Sequence, residues 1–133
     1  MKRKRLLIGF LTVIAMAAIL WNALSQPGIA DLKGNFKQVA FSRSVQNSGP
    51  VIRVYAVTLS DTLWKQMMEY GDYMPHNKYG STKVYFFLNT GPYPQQVSIG
   101  DVNFDSKFNG YCVGFYQKDA MSQVRLKKLP FAK

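Results

Sequence analysis

Hydrophobic and polar positions change rhythm several times along this chain, and each change predicts an element. Leu6 to Leu24 is a nineteen-residue run without charge, interrupted only by Thr12 and Asn22. As a helix it would span roughly 28 Å, close to the thickness of a bilayer's hydrocarbon core. Lys2, Arg3, Lys4 and Arg5 stand directly before it. A cationic block ahead of an apolar run is the pattern of an export signal or a single membrane anchor, with the block held on the cytoplasmic side. The alternative, a buried helix of a soluble domain, accommodates four consecutive cations poorly.

From Phe36 the period drops to two. Lys37–Arg43 alternates, with Val39 and Phe41 on one face, and predicts a strand. Asn47-Ser48-Gly49-Pro50 is a turn signal. Val51–Leu59 is β-branched and apolar on both faces except at Arg53, which suits a more central strand in a hairpin with the first. A helix is predicted over 61–70. Ser60 serves as its N-cap, and Asp61 complements the positive end of its dipole. Leu63, Trp64, Met67 and Met68 form its apolar stripe, Gly71 its left-handed end, and Pro75 a block to continuation.

Lys83–Leu88 reads as a buried strand, so strand 51–59, the helix and strand 83–88 form a βαβ unit. Asn89–Gln96 is a loop, followed by a short strand at Val97–Ile99. Tyr111–Gln117 and Gln123–Leu129 read as strands joined by a turn at Lys118-Asp119-Ala120. The fold class is α+β: a mixed sheet of four to six strands with one main amphipathic helix on one face, preceded by the N-terminal signal or transmembrane helix. Residues 1–30 form the signal peptide or anchor and 31–133 the exported domain, with Asp31–Gly34 as a linker.

Charge alters the picture only once it is located. The chain has 133 residues, 17 Lys and Arg against 7 Asp and Glu, and a net charge of +10. A balance of that size suggests a nucleic-acid binder. With residues 1–30 set aside, thirteen cations face all seven acids, a net +6 over 103 residues and mostly dispersed. An exported domain has no ordinary access to DNA or RNA, so no nucleic-acid partner is expected. Small residues around Ser25 and Ala30 suit signal-peptidase cleavage, while Trp21 suits the interface of a retained anchor, and the length of the run favours the anchor. The absence of any Asn-x-Ser/Thr sequon favours a bacterial envelope over a eukaryotic secretory setting. The domain is therefore expected on the exported side of the cytoplasmic membrane, in the periplasm or at the cell surface.

The chemistry-bearing residues are sparse. One Cys excludes an intrachain disulfide framework, and one His excludes multi-histidine metal sites. Cys112 sits in a predicted strand among aromatics and reads as a small buried hydrophobe, far in sequence from His76 as a base. Asp101, Asn103 and Asp105 alternate as in a calcium loop, but Ser106 and Cys112 stand where that loop needs Gly and Glu, so solvated turn acids are the better reading. No phosphate-binding glycine loop, nucleophile elbow or paired-carboxylate arrangement occurs. No cofactor and no enzymatic activity are expected.

Two segments remain for binding. Tyr70, Tyr73, His76, Lys78 and Tyr79 fall in one stretch that reads as a loop too polar for the core, and Tyr93 joins them if both loops lie at one end of the sheet. Tyrosine offers large amphipathic contact area at low rotamer cost, so the expected partner is another envelope protein. The alternative is that these rings merely cover the open end of the core. Arg125, Lys127 and Lys128 form a basic edge strand for an anionic envelope ligand or lipid headgroups. Cations on an edge also block edge-to-edge aggregation, which is the plainer account.

Overall fold

A computed structural model describes residues 1–25, 32–44 and 49–131. Helix α1 (Lys2–Ser25) is followed by strands β1 (Lys37–Arg43) and β2 (Ile52–Leu59), helix α2 (Trp64–Tyr73) and strand β3 (Ser81–Leu88). A 3-10 turn (Ser106–Tyr111) then leads into β4 (Cys112–Lys118) and β5 (Val124–Lys128). The five strands form one mixed sheet in sequence order, so the fold is α+β. β1–β2, β3–β4 and β4–β5 pair antiparallel, and only β2–β3, bridged by α2, is parallel.

Helix α1 is long and apolar enough to cross a membrane, and none of that span is buried by the rest of the chain. It contributes nothing to the core of the domain, which is compatible with a signal or an anchor and not with a core helix. Ala30, one of the two cleavage positions, and Asp31 lie outside the described residues, as do Asn47 and Ser48 of the predicted turn. The linker expected through Gly34 is part of the domain instead. Leu32 packs on the helix-side core, and the Gly34 carbonyl accepts a hydrogen bond from the Ser60 amide at 2.6 Å.

One face of the sheet lies under α2. Tyr55, Val57, Leu59, Val84, Phe86 and Tyr116 meet Met67, Tyr70 and Met74 there, with Phe36 stacked on Tyr70 at 4.9 Å between ring centroids. Full burial of a side chain such as Phe86 is worth roughly 1.5–3 kcal/mol, so this layer supplies much of the driving force for folding. The helix begins later than the expected 61–70. Its N-cap is Leu63 with no side-chain cap, while the Asp61 carboxylate accepts from the Thr62 amide at 2.7 Å. Gly71 does not end the helix. It lies buried within it, where a Cβ would come 2.4 Å from the Tyr116 ring, so close approach to β4 is its reason for being there.

The second face is covered without a helix. Ala40, Val54, Ala56, Tyr85, Phe87 and Cys112 pack beneath residues 89–111, which contribute Tyr93, Val97, Ile99, Phe104 and Phe108. The strand expected at Val97–Ile99 is absent. Asn103 orders that stretch instead, donating its Nδ2 to the Ser98 and Gly100 carbonyls at 2.8 and 3.1 Å and accepting from the Tyr85 hydroxyl at 2.6 Å. Two bulges set the phase of the flanking strands. The register shift between Gln38 and Ala40 sends Val39 to the loop-covered side and leaves Phe41 against Tyr55 on the helix side, so the two do not share a face. The second shift, opposite Phe86/Phe87, turns Val113 to the helix side while Cys112 stays under the loop.

Candidate functional site

The segment after α2 is built by backbone geometry. Gly71 presses the helix end onto Tyr116, whose hydroxyl donates to the Asp72 carboxylate at 2.7 Å. Pro75 then turns the chain back toward the start of β3, and the Gly80 amide bonds to the Asn77 carbonyl at 2.9 Å. Tyr79, the residue before that glycine, has a left-handed backbone (φ 65°), a strained state for a bulky residue. The residue is 66% exposed, and the Lys78 ammonium lies 5.2 Å from the ring centroid. Tyr73, on the last turn of α2, is also exposed.

Tyr70 and His76 do not join this surface. Tyr70 belongs to α2 and is buried against Phe36 and Phe86, and burial pushes its phenol up to about 12. The expectation that it sits in a polar loop is corrected, because Tyr70 lies three positions after Met67 on the same buried face of the helix. His76 is turned inward. The Thr82 hydroxyl donates to the Pro75 carbonyl at 3.1 Å, so its oxygen accepts from His76 Nδ1 at 3.0 Å. The other ring nitrogen, Nε2, is buried without a hydrogen-bond partner of ordinary geometry. Burial, reinforced by the Lys118 and Arg53 cations, holds the imidazole below its ordinary value, so His76 pins the loop to β3 as a neutral ring.

Tyr93 lies elsewhere. The 74–80 loop meets the N-terminal end of β3, whereas residues 89–96 leave its C-terminal end, so the two loops stand at opposite ends of the sheet. Tyr93 is half-buried against the loop-side core. With Gln95, Gln96, Asn103, Lys107 and Phe108 it lines a concavity of about 720 Å³. The amide of Asn103 is fully engaged in holding the loop, and the Asp105 carboxylate accepts from the Lys107 backbone amide at 3.0 Å. The polar groups there are thus largely committed to structure. Sequence reasoning missed this concavity. Its signal was irregularly spaced apolar residues, Val97, Ile99, Phe104 and Phe108, within a long stretch otherwise rich in turn formers.

The basic strand is divided by its own pleat. Lys127 pairs opposite Phe115 and Arg125 opposite Gln117, on the loop-covered side. Lys128 pairs opposite Gly114 on the helix side, its ammonium 5.1 Å from the centroid of the Trp64 ring. The three cations do not form one patch.

Cys112 and His76 are also apart. The thiol is buried, donates to the Gly114 carbonyl at 3.3 Å, and is pushed up to about 12 by burial. Cys112 pairs with Phe87, and His76 bonds Thr82, so roughly 17 Å of strand and the thickness of the sheet separate them. Asn103 and Asp105 of the alternating acidic stretch are occupied in loop structure, and no group of three or more His, Cys, Asp or Glu side chains gathers among the described residues. No protein-family model, curated protein or solved structure matches this chain.

Proposed function

We propose that this chain is a small bacterial envelope protein, exported or held in the inner membrane by α1, whose α+β domain binds another protein without catalysis. The observation that carries the reading is Tyr79. A bulky residue in a left-handed backbone costs about 1–2 kcal/mol, and here that conformation holds the ring out in solvent beneath Lys78 rather than in the core. Tyr73 adds a second exposed ring on the adjoining helix turn. His76, pinned to Thr82, makes the connecting loop a fixed platform, which lowers the entropic cost of recognition.

A photocrosslinking residue placed at Tyr79 of the full chain, in intact cells, tests this. A discrete protein adduct is expected, and Tyr73→Ala with Tyr79→Ala should abolish affinity capture of the same partner. Unchanged capture by that double variant overturns the assignment of the surface.

A further inference from the structure

Strand β5 closes the sheet on one side, and no strand pairs with its outer edge among the described residues. Its phase is fixed at both ends. The Asp119 amide bonds to the Gln123 carbonyl at 3.0 Å, and the Leu129 amide bonds to the Val113 carbonyl at 3.1 Å. In an antiparallel ladder of this register, Gln123, Arg125, Lys127 and Leu129 direct their backbone groups at β4. The N–H and C=O groups of Val124, Leu126 and Lys128 therefore point away from the sheet. The ladder is regular throughout, with no bulge. The opposite edge differs, because β1 carries the register shift at Val39, a device that spoils a pairing surface.

We propose that the outer edge of β5 docks an acidic segment of a partner protein, which adds in extended conformation as a further strand. Charge selects the occupant. Arg125 and Lys127 project to one side of the sheet and Lys128 to the other, so the cations flank the edge from both sides. A flat headgroup surface meets cations from a single side, whereas an added strand projects side chains alternately to both. A second copy of this chain is repelled. β5 against β5 sets cations against cations, and the β1 edge bears Lys37 and Arg43. Asp119, the carboxylate of the β4–β5 turn, is held in that turn by the Met121 and Gln123 amides at 2.9 Å each, and the three cations of the strand outnumber it.

The register also writes the partner's pattern. An antiparallel strand places acids opposite Lys128, Lys127 and Arg125 and apolar residues opposite Leu126 and Val124. Read from its N-terminus, the segment runs acid, acid, apolar, acid, apolar.

The inference rests on the reading of the domain as a protein-binding module and adds a second surface to it. Its test uses the full chain in nanodiscs of zwitterionic lipid and a fluorescent peptide with the core Glu-Glu-Val-Glu-Val. Binding is expected by anisotropy, with a peptide of Lys-Lys-Val-Lys-Val core excluded. Val124→Pro removes one outward N–H and leaves the ladder to β4 intact, so it should weaken binding by roughly tenfold. Arg125→Glu with Lys127→Glu, on exposed side chains, should weaken it at least as much and admit the lysine peptide. If Val124→Pro fails to melt cooperatively, the double charge reversal carries the test alone. Failure of the acidic peptide to bind overturns the inference, as does binding indifferent to a folded Val124→Pro. Displacement of the peptide by phosphatidylglycerol vesicles also overturns it, making headgroups the ligand. Failure here with capture retained at Tyr79 leaves the proposed function standing; loss of capture with peptide binding retained leaves this inference standing.

Discussion

On one face of the sheet a ten-residue helix covers the strands, and on the other residues 89–111 do so with a single 3-10 turn as their regular structure. The helix satisfies its own backbone, so α2 needs from the sheet only an apolar surface and a close approach, which Gly71 against Tyr116 provides. The loop cannot satisfy itself in that way. It relies on Asn103, whose one side chain ties two of its carbonyls and the Tyr85 hydroxyl, and on Phe104, whose ring meets Tyr85, Phe87 and Phe131 edge-on. A self-supporting layer depends on shape, whereas a side-chain-supported layer depends on a few residues. The concavity beside Tyr93 lies in the second layer for the same reason, since irregular backbone does not close-pack.

Truncation of the ring at the centre of the loop layer has the largest expected effect. Phe104→Ala should cost about 4 kcal/mol in denaturant unfolding. Hydrogen exchange should show residues 89–111 losing protection while α2 keeps it. Equal loss on both faces would break the contrast and show one cooperative unit.

Gly71→Ala comes next, at about 3 kcal/mol destabilising, because the added methyl meets the Tyr116 ring. In an exposed helix the same change stabilises by up to about 1 kcal/mol, so the sign alone decides whether close approach governs the helix face. A melting curve of the variant reads it directly.

Asn103→Ala should cost about 2 kcal/mol, chiefly by leaving the buried Tyr85 hydroxyl without its partner. Tyr85→Phe in the same background should recover part of that loss, and a double-mutant cycle measures the coupling.

The last effect is silent at neutral pH and appears only in alkali. Burial raises the Cys112 thiol from 9.0 and the Tyr85 phenol from 10.0, both to about 12, on the loop side, and the Tyr70 phenol from 10.0 to about 12 on the helix side. Each group stays protonated longer in the folded chain, so its contribution is complete below the unfolded-state value and is lost as pH rises toward 12. Melting temperature should therefore begin to fall near pH 9 through Cys112, a full unit before either phenol contributes. Cys112→Ala should move that onset to about pH 10. An onset unchanged by the substitution would show that the loop layer does not keep water from the thiol.

Legibility in the sequence followed the same division. The hairpin, the parallel β2–β3 pair around α2 and the β4–β5 pair were readable because alternation and amphipathic spacing are local properties of strands and helices. The bulge at Val39 was not readable, since one extra residue in a strand leaves its composition unchanged. Tyr70 misled because a phenol suits either a recognition loop or a core, and only the packing of Phe36 and Phe86 around it decides. His76 misled similarly, its fate set by a Thr82 hydroxyl six residues away. Of the candidate surface, Tyr73, Lys78 and Tyr79 are each exposed, while Tyr93, expected to join them only if both loops lay at one end of the sheet, stands at the other, because the two loops flank the same strand β3.

What the sequence determined alone is the order of elements, the membrane-compatible helix and the dispersed charge of the domain. These follow from interactions between near neighbours and from composition. The tertiary structure decided which side chains face outward, how the second face is covered, and where the register shift beside Val39 falls. Those outcomes depend on strand register and on pairs of residues distant along the chain, which no local pattern encodes.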